Sequence, residues 1–530
     1  MKYLLGIDAG TTAMKAVLFD QDGRAWGQAS QEYQLRTLAP DRVEMEPERY
    51  WEACCACTRR VVQEAGIRPL EIAALAISSQ GETLIAVDEA GEALYPAIVW
   101  LDNRSQAEAD EIKAHFGVEA AFQITGQPEI TPTWPATKIL WLRRHEPDVF
   151  GQAHKFLLLE DYLLFHFTGR FVANPCLLSS SLLFDIRRKA WWPEMLDFLE
   201  LAPDRLPTVQ EPGRVVGELT PQAALQSGLW EDTLAVTGGL DQALAALGGG
   251  NTHAGLVTES TGGALAIVAT LDEPVFDPRR RIPCHYHALT DTYYLLPWGQ
   301  TAGMALRWFR DVFGQAEQER ARRAGVTAYD LLTAGAAEVA PGAEGLVALP
   351  HLAGAACPEF NPAARGVWFG MGLHHTQAHF VRAILESVAY MLRRNVEMLE
   401  ELGVIVQEIR ALGGGARSPL WNQIKADVLG VPVLTLQSEE VACLGAAILA
   451  GAAVGLYPSP QEAAERLVSV QRRWEPDPAN RPVYEHGYEV YVRLYDSLEE
   501  LFAFVRKPDY MEIRQQANQS ISKDALNETQ

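Results

Sequence analysis

Two short turns far apart in the chain share one chemistry. The first lies in LGIDAGTTAMKAVLFD (residues 5–20), where Gly10, Thr11 and Thr12 separate two apolar runs, with Asp8 before the turn and Lys15 after it. The second lies in GLVTESTGGALAIVATLDE (residues 255–273), where Thr261, Gly262 and Gly263 hold the same place. Glycine lets backbone N–H groups approach phosphate oxygens, and a threonine hydroxyl adds a donor without bulk, so each turn could cradle phosphate. The bland alternative is a hairpin turn in which glycine supplies positive φ and threonine satisfies nearby backbone groups. Asp8 could carry Mg²⁺ through water, as suits an ion that keeps most of its hydration, or simply start the turn. Lys15 could set a point charge at a phosphoryl group in transfer, or stand solvated on its strand.

Asp241 sits in VTGGLDQALAALGGG, after two glycines and at the start of a small, apolar helix. Asp at a helix start is commonly a cap, worth typically about 1 kcal/mol. Its position just before the second turn favours a functional reading: a carboxylate in an inter-domain cleft that accepts a proton from an attacking hydroxyl. GGGARSPLWNQ (residues 413–423) offers close backbone approach followed by a helix N-terminus. A planar base or ribose could lie against Gly413 to Ala416; a tight strand-to-helix turn is the alternative. The G-x-x-x-x-G-K-[ST] phosphate loop is absent, and without G-x-G-x-x-G spacing a dinucleotide site is weakly supported.

These groups need elements to hold them. At 530 residues the chain exceeds the size at which single cores stop growing, so two domains are expected, at 1–250 and 251–505, with a polar tail at 506–530. The fold class is α/β: strands at 72–80 and 233–239 interleave with helices at 47–66, 375–403, 418–430 and 441–456. The two turn segments read as one unit used twice, which predicts two domains of similar topology facing a central cleft. Hydrophobic residues at 48% and charged ones at 21% are ordinary for a globular protein. The net charge of −23 argues against general affinity for nucleic acid or anionic membrane and leaves any anion to be held locally. Seven cysteines, an odd number, fit reduced cytoplasmic thiols, and CCAC at 54–57 reads as a buried helix face rather than a metal site. No apolar run has the length of a membrane span.

The order of these pieces resembles the FGGY family of carbohydrate kinases, within the actin, heat-shock ATPase and hexokinase superfamily. The resemblance covers approximately residues 3 to 485 and rests on GIDAGTT, PATKILWLRRHEP (135–147), GGLDQALAALGGG, ARGVWFGMGLHHTQAHFVRAILESVAY (364–390) and LGGGARSPLWNQIKADVLGVPV (412–433). It implies two ribonuclease-H-like domains of the actin-like ATPase kind, closing over a sugar and ATP. By position it implies that Asp241 is the general base, that Thr11, Thr12 and Lys15 meet the transferring phosphate, and that Gly10 belongs to the same turn. It places Thr261, Gly262 and Gly263 on the nucleotide phosphates, Gly414, Gly415, Ala416 and Asn422 on the adenosine side, and Asp8 with Mg²⁺. Homodimers are frequent in that family.

Substrate choice is expected in SSQGETL (78–84) and AIVWLDNRS (97–105). Gln80, Gly81, Glu82, Trp100 and Asp102, with Gln242 beside the base, offer acceptors and an apolar wall to a polyhydroxylated ligand. Glu82 and Gln242 are similar to glycerol kinases, although Gly81 stands where those enzymes carry Arg. The VWLDNRS segment is similar to pentulose kinases, which favours a ketopentose such as D-xylulose over a polyol or another ketose. Other departures are Gly354 to Pro358 (GAACP), Asn174-Pro175, and STGG in place of GTSG at the second turn. A superfamily ATPase whose acceptor is water is the rival class, and in it the Trp/Asp/Arg segment has no purpose.

Overall fold

The computed structural model describes residues 2–505; the polar tail expected at 506–530 lies outside the described residues. Strands β1 (Tyr3–Ala9), β2 (Ala13–Phe19) and β3 (Ala25–Glu32) open the chain as an antiparallel meander. Helix α1 (Pro47–Ala65) has proline in its first turn and ends on Gly66 at φ 66°, the left-handed stop that glycine adopts freely. Cys54, Cys55 and Cys57 lie on its buried face, and all seven cysteines are free and buried.

Strand β4 (Ile72–Ser79) pairs parallel with β1. After helix α2 (Pro135–His145) come β5 (Val215–Glu218) and β6 (Leu234–Leu240), the latter parallel to β4. Helix α3 (Asp241–Gly248) follows β6 directly. The first sheet runs β5-β6-β4-β1-β2-β3.

The second part repeats this plan. Strands β7 (Leu256–Thr261) and β8 (Leu265–Leu271) form the second hairpin, flanked by β9 (Cys284–Tyr286) and β10 (Tyr293–Leu295). Then come helix α4 (Gly303–Phe313), the long helix α5 (Gln377–Glu401), β11 (Glu408–Leu412), helix α6 (Pro419–Leu429), β12 (Val433–Leu436), helix α7 (Val441–Ala453) and β13 (Val470–Trp474). The order β9-β10-β8-β7-β11-β12-β13 repeats the first sheet's order from β10 to β13, taken against β3-β2-β1-β4-β6-β5, and adds β9 beyond β10. In each, a hairpin is extended on one side by two parallel strands and an antiparallel edge. The repeat expected from the two turn segments is therefore a repeat of topology.

Both faces of the first sheet are covered at its centre, which is why β1, β2, β4 and β6 read as nearly continuous apolar runs. Leu5, Ile7, Ala16 and Leu18 face α1; Leu4, Val17 and Ala74 face α7. Helix α7 follows β12 in sequence yet sits on the first sheet, with α3 against it. Small residues make this possible. A side chain at Gly6 would come within 1.9 Å of the Cys443 carbonyl oxygen, one at Gly248 within 1.9 Å of Val441 O, and one at Gly445 within 2.0 Å of Leu244 O. The α3–α7 pair thus joins the two sheets at backbone contact distance. Among the described residues no helix is long and apolar enough to cross a membrane.

Candidate active site

Three parallel strands end together. Asp8 of β1 is level with Ser78 of β4, which is level with Gly239 of β6. Asp8, the Gln80–Glu82 loop and Asp241 therefore stand side by side outside the carboxyl ends of the strands, where open α/β sheets bind ligands. Asp8 shares a sheet face with Leu4 and so points toward the start of α7. The Ser78 hydroxyl donates to Asp8 Oδ1 at 2.9 Å, and burial holds the Asp8 carboxyl above the usual range.

Asp241 is the first residue of α3 and half-buried. The Gln242 N–H donates to its Oδ1 at 2.7 Å. Burial, the Asp8 carboxylate and, more weakly, Glu82 push its carboxyl up to about 7, against the helix N-terminus that would otherwise favour the anion. A carboxylate held near neutrality suits proton abstraction from an alcohol.

Glu82 adopts φ 60°, rare for a side chain other than glycine. A side chain at Gly81 would meet Ser180 Oγ at 2.6 Å and Leu240 Cδ1 at 2.9 Å, so a larger residue there must displace those two side chains. Burial raises the Glu82 carboxyl, and the Ser180 hydrogen bond opposes this. Lys138 of α2 lies wholly buried beneath the loop and donates to the carbonyl oxygens of Glu82 at 2.8 Å and Val99 at 3.1 Å. It ties together the two segments expected to form the acceptor wall, and burial lowers its pKa. Gln80 is buried, with its amide nitrogen 3.4 Å from the Tyr50 hydroxyl.

Trp100 donates from Nε1 to Thr11 Oγ1 at 2.9 Å, joining that wall to the first turn. Asp102 corrects the expectation of a direct acceptor contact. Its Oδ1 accepts from Arg104 N–H at 3.0 Å and Nε at 2.8 Å; its Oδ2 accepts from Val43 N–H at 2.6 Å and from the Arg104 guanidinium at 2.7 Å. With both oxygens doubly used and no exposed surface, Asp102 anchors the Trp100 segment from behind. Arg104 in turn reaches Glu44 at 2.7 Å.

The first turn is braced by Tyr33, whose hydroxyl donates to Gly10 O and whose N–H donates to Thr12 O. Lys15 stands opposite Asp8 across the hairpin and pairs with Glu440, at the start of α7, at 2.9 and 3.2 Å. The lysine is thus neither simply solvated nor unpaired: its partner comes from the far end of the chain.

On the second sheet, Thr261 donates to Glu259 Oε2 at 2.7 Å and accepts from Lys425 Nζ at 2.9 Å, while Lys425 also meets Glu259 Oε1 at 2.5 Å. All three are buried. The Thr261 hydroxyl is therefore spent on structure, and only its backbone remains for a ligand. Gly262 and Gly263 are tied through their carbonyls to the start of α4. In the triplet after β11, Gly413 takes φ 72° and a side chain at Gly415 would come within 2.6 Å of Thr261 Cβ. At Gly414 an added carbon would meet nothing within 4 Å. Ser418 caps α6 by accepting from Trp421 N–H at 3.3 Å, Pro419 follows, and Gly430 ends it. Asn422 is buried, and its amide holds Ala416 O at 2.7 Å.

A cavity of about 460 Å³ opens between the second turn and the triplet, lined by Thr261, Gly262, Gly263, Gly414 and Gly415 among others. Its size is that of a small-molecule site, roughly 300–1,000 Å³. A second cavity of about 220 Å³ shares Gly414 and is walled by Lys15, Ala416 and Glu440. Sequence reasoning missed Gly303, Arg307, Thr327 and Asp330, which line the larger cavity, and Lys138, Ser180, Lys425 and Glu440. Lys138 and Lys425 lie within motifs already singled out; the others carry no local signal.

Residues 3–248 match the N-terminal domain and residues 261–454 the C-terminal domain of the FGGY family of carbohydrate kinases. The gluconokinase of Bacillus subtilis (strain 168) is 33% identical over 472 residues, 89% of this chain and 91% of the relative. The xylulose kinase of the same organism is 29% identical over 501 residues, 94% and 98% of the two chains. The crystal structure of xylulose kinase from Rhodospirillum rubrum superposes with a TM-score of 0.83 at 30% identity, covering 95% of this chain and all of that one. The two matched domains together take up most of the chain, so the chain belongs to the FGGY family of carbohydrate kinases and has its two-domain, actin-like ATPase fold.

Proposed function

We propose that the chain transfers the terminal phosphoryl group of ATP to a terminal hydroxyl of a small, uncharged sugar, a ketopentose such as D-xylulose. The observation that carries this reading is the half-buried Asp241, held near neutrality at the ends of three parallel strands beside Asp8 and Glu82. Asp241 takes the proton of the attacking hydroxyl. The Gly10–Thr12 and Thr261–Gly263 turns hold the phosphates from either side of the cleft, and Gly414 lets the adenosine lie against backbone. Glu82, Gln80, Gln242 and the Trp100 ring orient the acceptor, and closure of the two domains excludes water as a competitor. Asp8 fits a Mg²⁺ held through water, since one oxygen is fixed by Ser78 and the residue faces the phosphate side; the ion would supply charge neutralisation on the phosphates. The buried, free cysteines suit a reducing, cytoplasmic setting.

Charge favours an uncharged acceptor. Around Asp241 and Glu82 the nearby cations are already used: Lys138 on two carbonyls, Arg104 on Asp102 and Glu44, Lys15 on Glu440. A carboxylate on the substrate would meet three acidic residues there. Gluconate is the second reading, supported by the 33% identity to a gluconokinase. ADP release measured over ketopentoses, gluconate, glycerol and erythritol decides between them. A best response to D-xylulose or a related ketopentose is expected; preference for gluconate, or ATP hydrolysis indifferent to every acceptor, overturns the reading.

A further inference from the structure

Beyond the wall formed by Glu82 and Trp100 lies a polar cluster that no step above uses. Strands β9 and β10 pair His285 with Tyr294, and β10 and β8 pair Tyr294 with Thr270, so the three side chains share one face of the second sheet. His285 stacks on the Tyr294 ring at 5.2 Å and His287 meets it edge-on at 5.5 Å. The first domain faces them here at backbone distance, where Cys284 N–H donates to Gly126 O at 2.9 Å. The next residue, Gln127, places its amide nitrogen 2.7 Å from Ser179 O and 3.5 Å from His285 Nε2. Ser179 precedes Ser180, the partner of Glu82, so the cluster is continuous with the acceptor wall. The Tyr294 hydroxyl lies within electrostatic reach of both Asp241 and Glu82.

Every member is at least nine-tenths buried, yet four polar atoms among them have no partner: the Tyr294 hydroxyl, Gln127 Oε1, Thr270 Oγ1 and His287 Nε2. Buried polar atoms are nearly always hydrogen-bonded, because leaving one unpaired forfeits its solvation. Four such atoms at one joint, three from the second domain and one from the first, mark a place built to hold something polar. The cluster carries no charge: burial takes both imidazoles down to about 3 and lifts the phenol. It offers donors and acceptors to hydroxyl groups and no formal charge to pair with an anion.

We propose that Tyr294 and Gln127 form the far wall of the acceptor site, hydrogen-bonding hydroxyls on the carbons most distant from the one phosphorylated. This rests on the reading of Asp241 as the base that faces a polyhydroxylated acceptor. Because one residue comes from each domain, the wall is complete only when the domains are together, and it selects acceptors long enough to span from Asp241 to the β9–β10 edge. A site that hydrogen-bonds a substrate hydroxyl rejects analogues lacking it far better than an apolar pocket does.

The test is Tyr294→Phe, which keeps the ring and its stacking. With the wild type's best five- or six-carbon acceptor, kcat/KM is expected to fall roughly 10- to 100-fold through KM. With the three-carbon counterpart, glycerol for a neutral acceptor or glycerate for a sugar acid, the change stays within about threefold, as does acceptor-independent ATP hydrolysis. Gln127→Met is read in the same way, so a Tyr294→Phe chain that fails to fold does not stop the test. Equal losses on long and short acceptors, or no loss on either, overturn the proposal and leave the cluster to ordered water. A wild type that prefers gluconate refutes the uncharged acceptor instead, while the ratio on gluconate and glycerate still reports on Tyr294.

Discussion

Replacing Asp241 with Asn should leave a protein that is nearly inactive and yet more stable at alkaline pH. The carboxyl is held at about 7 in the fold against an ordinary 3.8, chiefly by burial and then by Asp8. Between these values the folded chain keeps a proton that the unfolded chain has lost, so stability falls as pH rises across that window. The gap sets an upper bound of about 4 kcal/mol on that loss, and solvent reaching the half-buried side chain brings it to about 1–2 kcal/mol. Asn carries no such cost. In urea titrations at about pH 8 the variant should therefore be more stable than the wild type, with a smaller gain at about pH 5. In a coupled ADP assay its kcat should drop by roughly 10²–10⁴, with ATP affinity nearly unchanged. The wild type's kcat/KM should rise with pH with a midpoint near 7, reaching only about a tenth of its plateau one unit below that midpoint. Activity of the Asn variant within a few-fold of wild type would refute the base assignment. A stability gain of the same size at both pH values would refute the electrostatic account.

Three further substitutions probe the framework. Lys425→Met removes the partner of a wholly buried Glu259, and denaturant unfolding should show a loss of about 3–5 kcal/mol. Gly445→Ala drives a methyl group to 2.0 Å from Leu244 O; the same measurement should show a destabilisation of about 1–3 kcal/mol. Gly414→Val, at a position whose added carbon meets nothing within 4 Å, should leave the melting temperature unchanged, while the KM for ATP rises roughly tenfold or more because the side chain fills the cavity. A melting temperature that falls together with ATP affinity would place Gly414 in the scaffold instead.

What the chain's letters disclosed was local. Proline and glycine mark the ends of α1, and Ser418, Pro419 and Gly430 those of α6, because each acts within a turn or two of its own backbone. The doubled hairpin was visible for the same reason. Commitments made across the fold were not. Asp102 was read as a sugar contact because its neighbours have that chemistry, yet Val43 and Arg104 occupy both oxygens. Thr261 was read as a hydroxyl donor to phosphate, yet Lys425, 164 residues away, takes that hydroxyl. Lys15 looked solvated or phosphate-facing, yet Glu440, 425 residues on, holds it. Such pairings are set by strand register and by which sheet a helix chooses, and neither is written in the spacing of the residues concerned.

The seating of α7 on the first sheet has a consequence for synthesis. The strands that open the chain are on the first sheet by residue 79, but the face carrying Leu4, Gly6 and Val17 is not covered until Val441–Ala453 has left the ribosome. At roughly 5–20 residues per second that apolar face waits on the order of tens of seconds. The nascent amino-terminal portion is therefore a natural client for a chaperone that shields sheet faces, and a chain stopped short of α7 should be cleared by proteases rather than persist as half an enzyme.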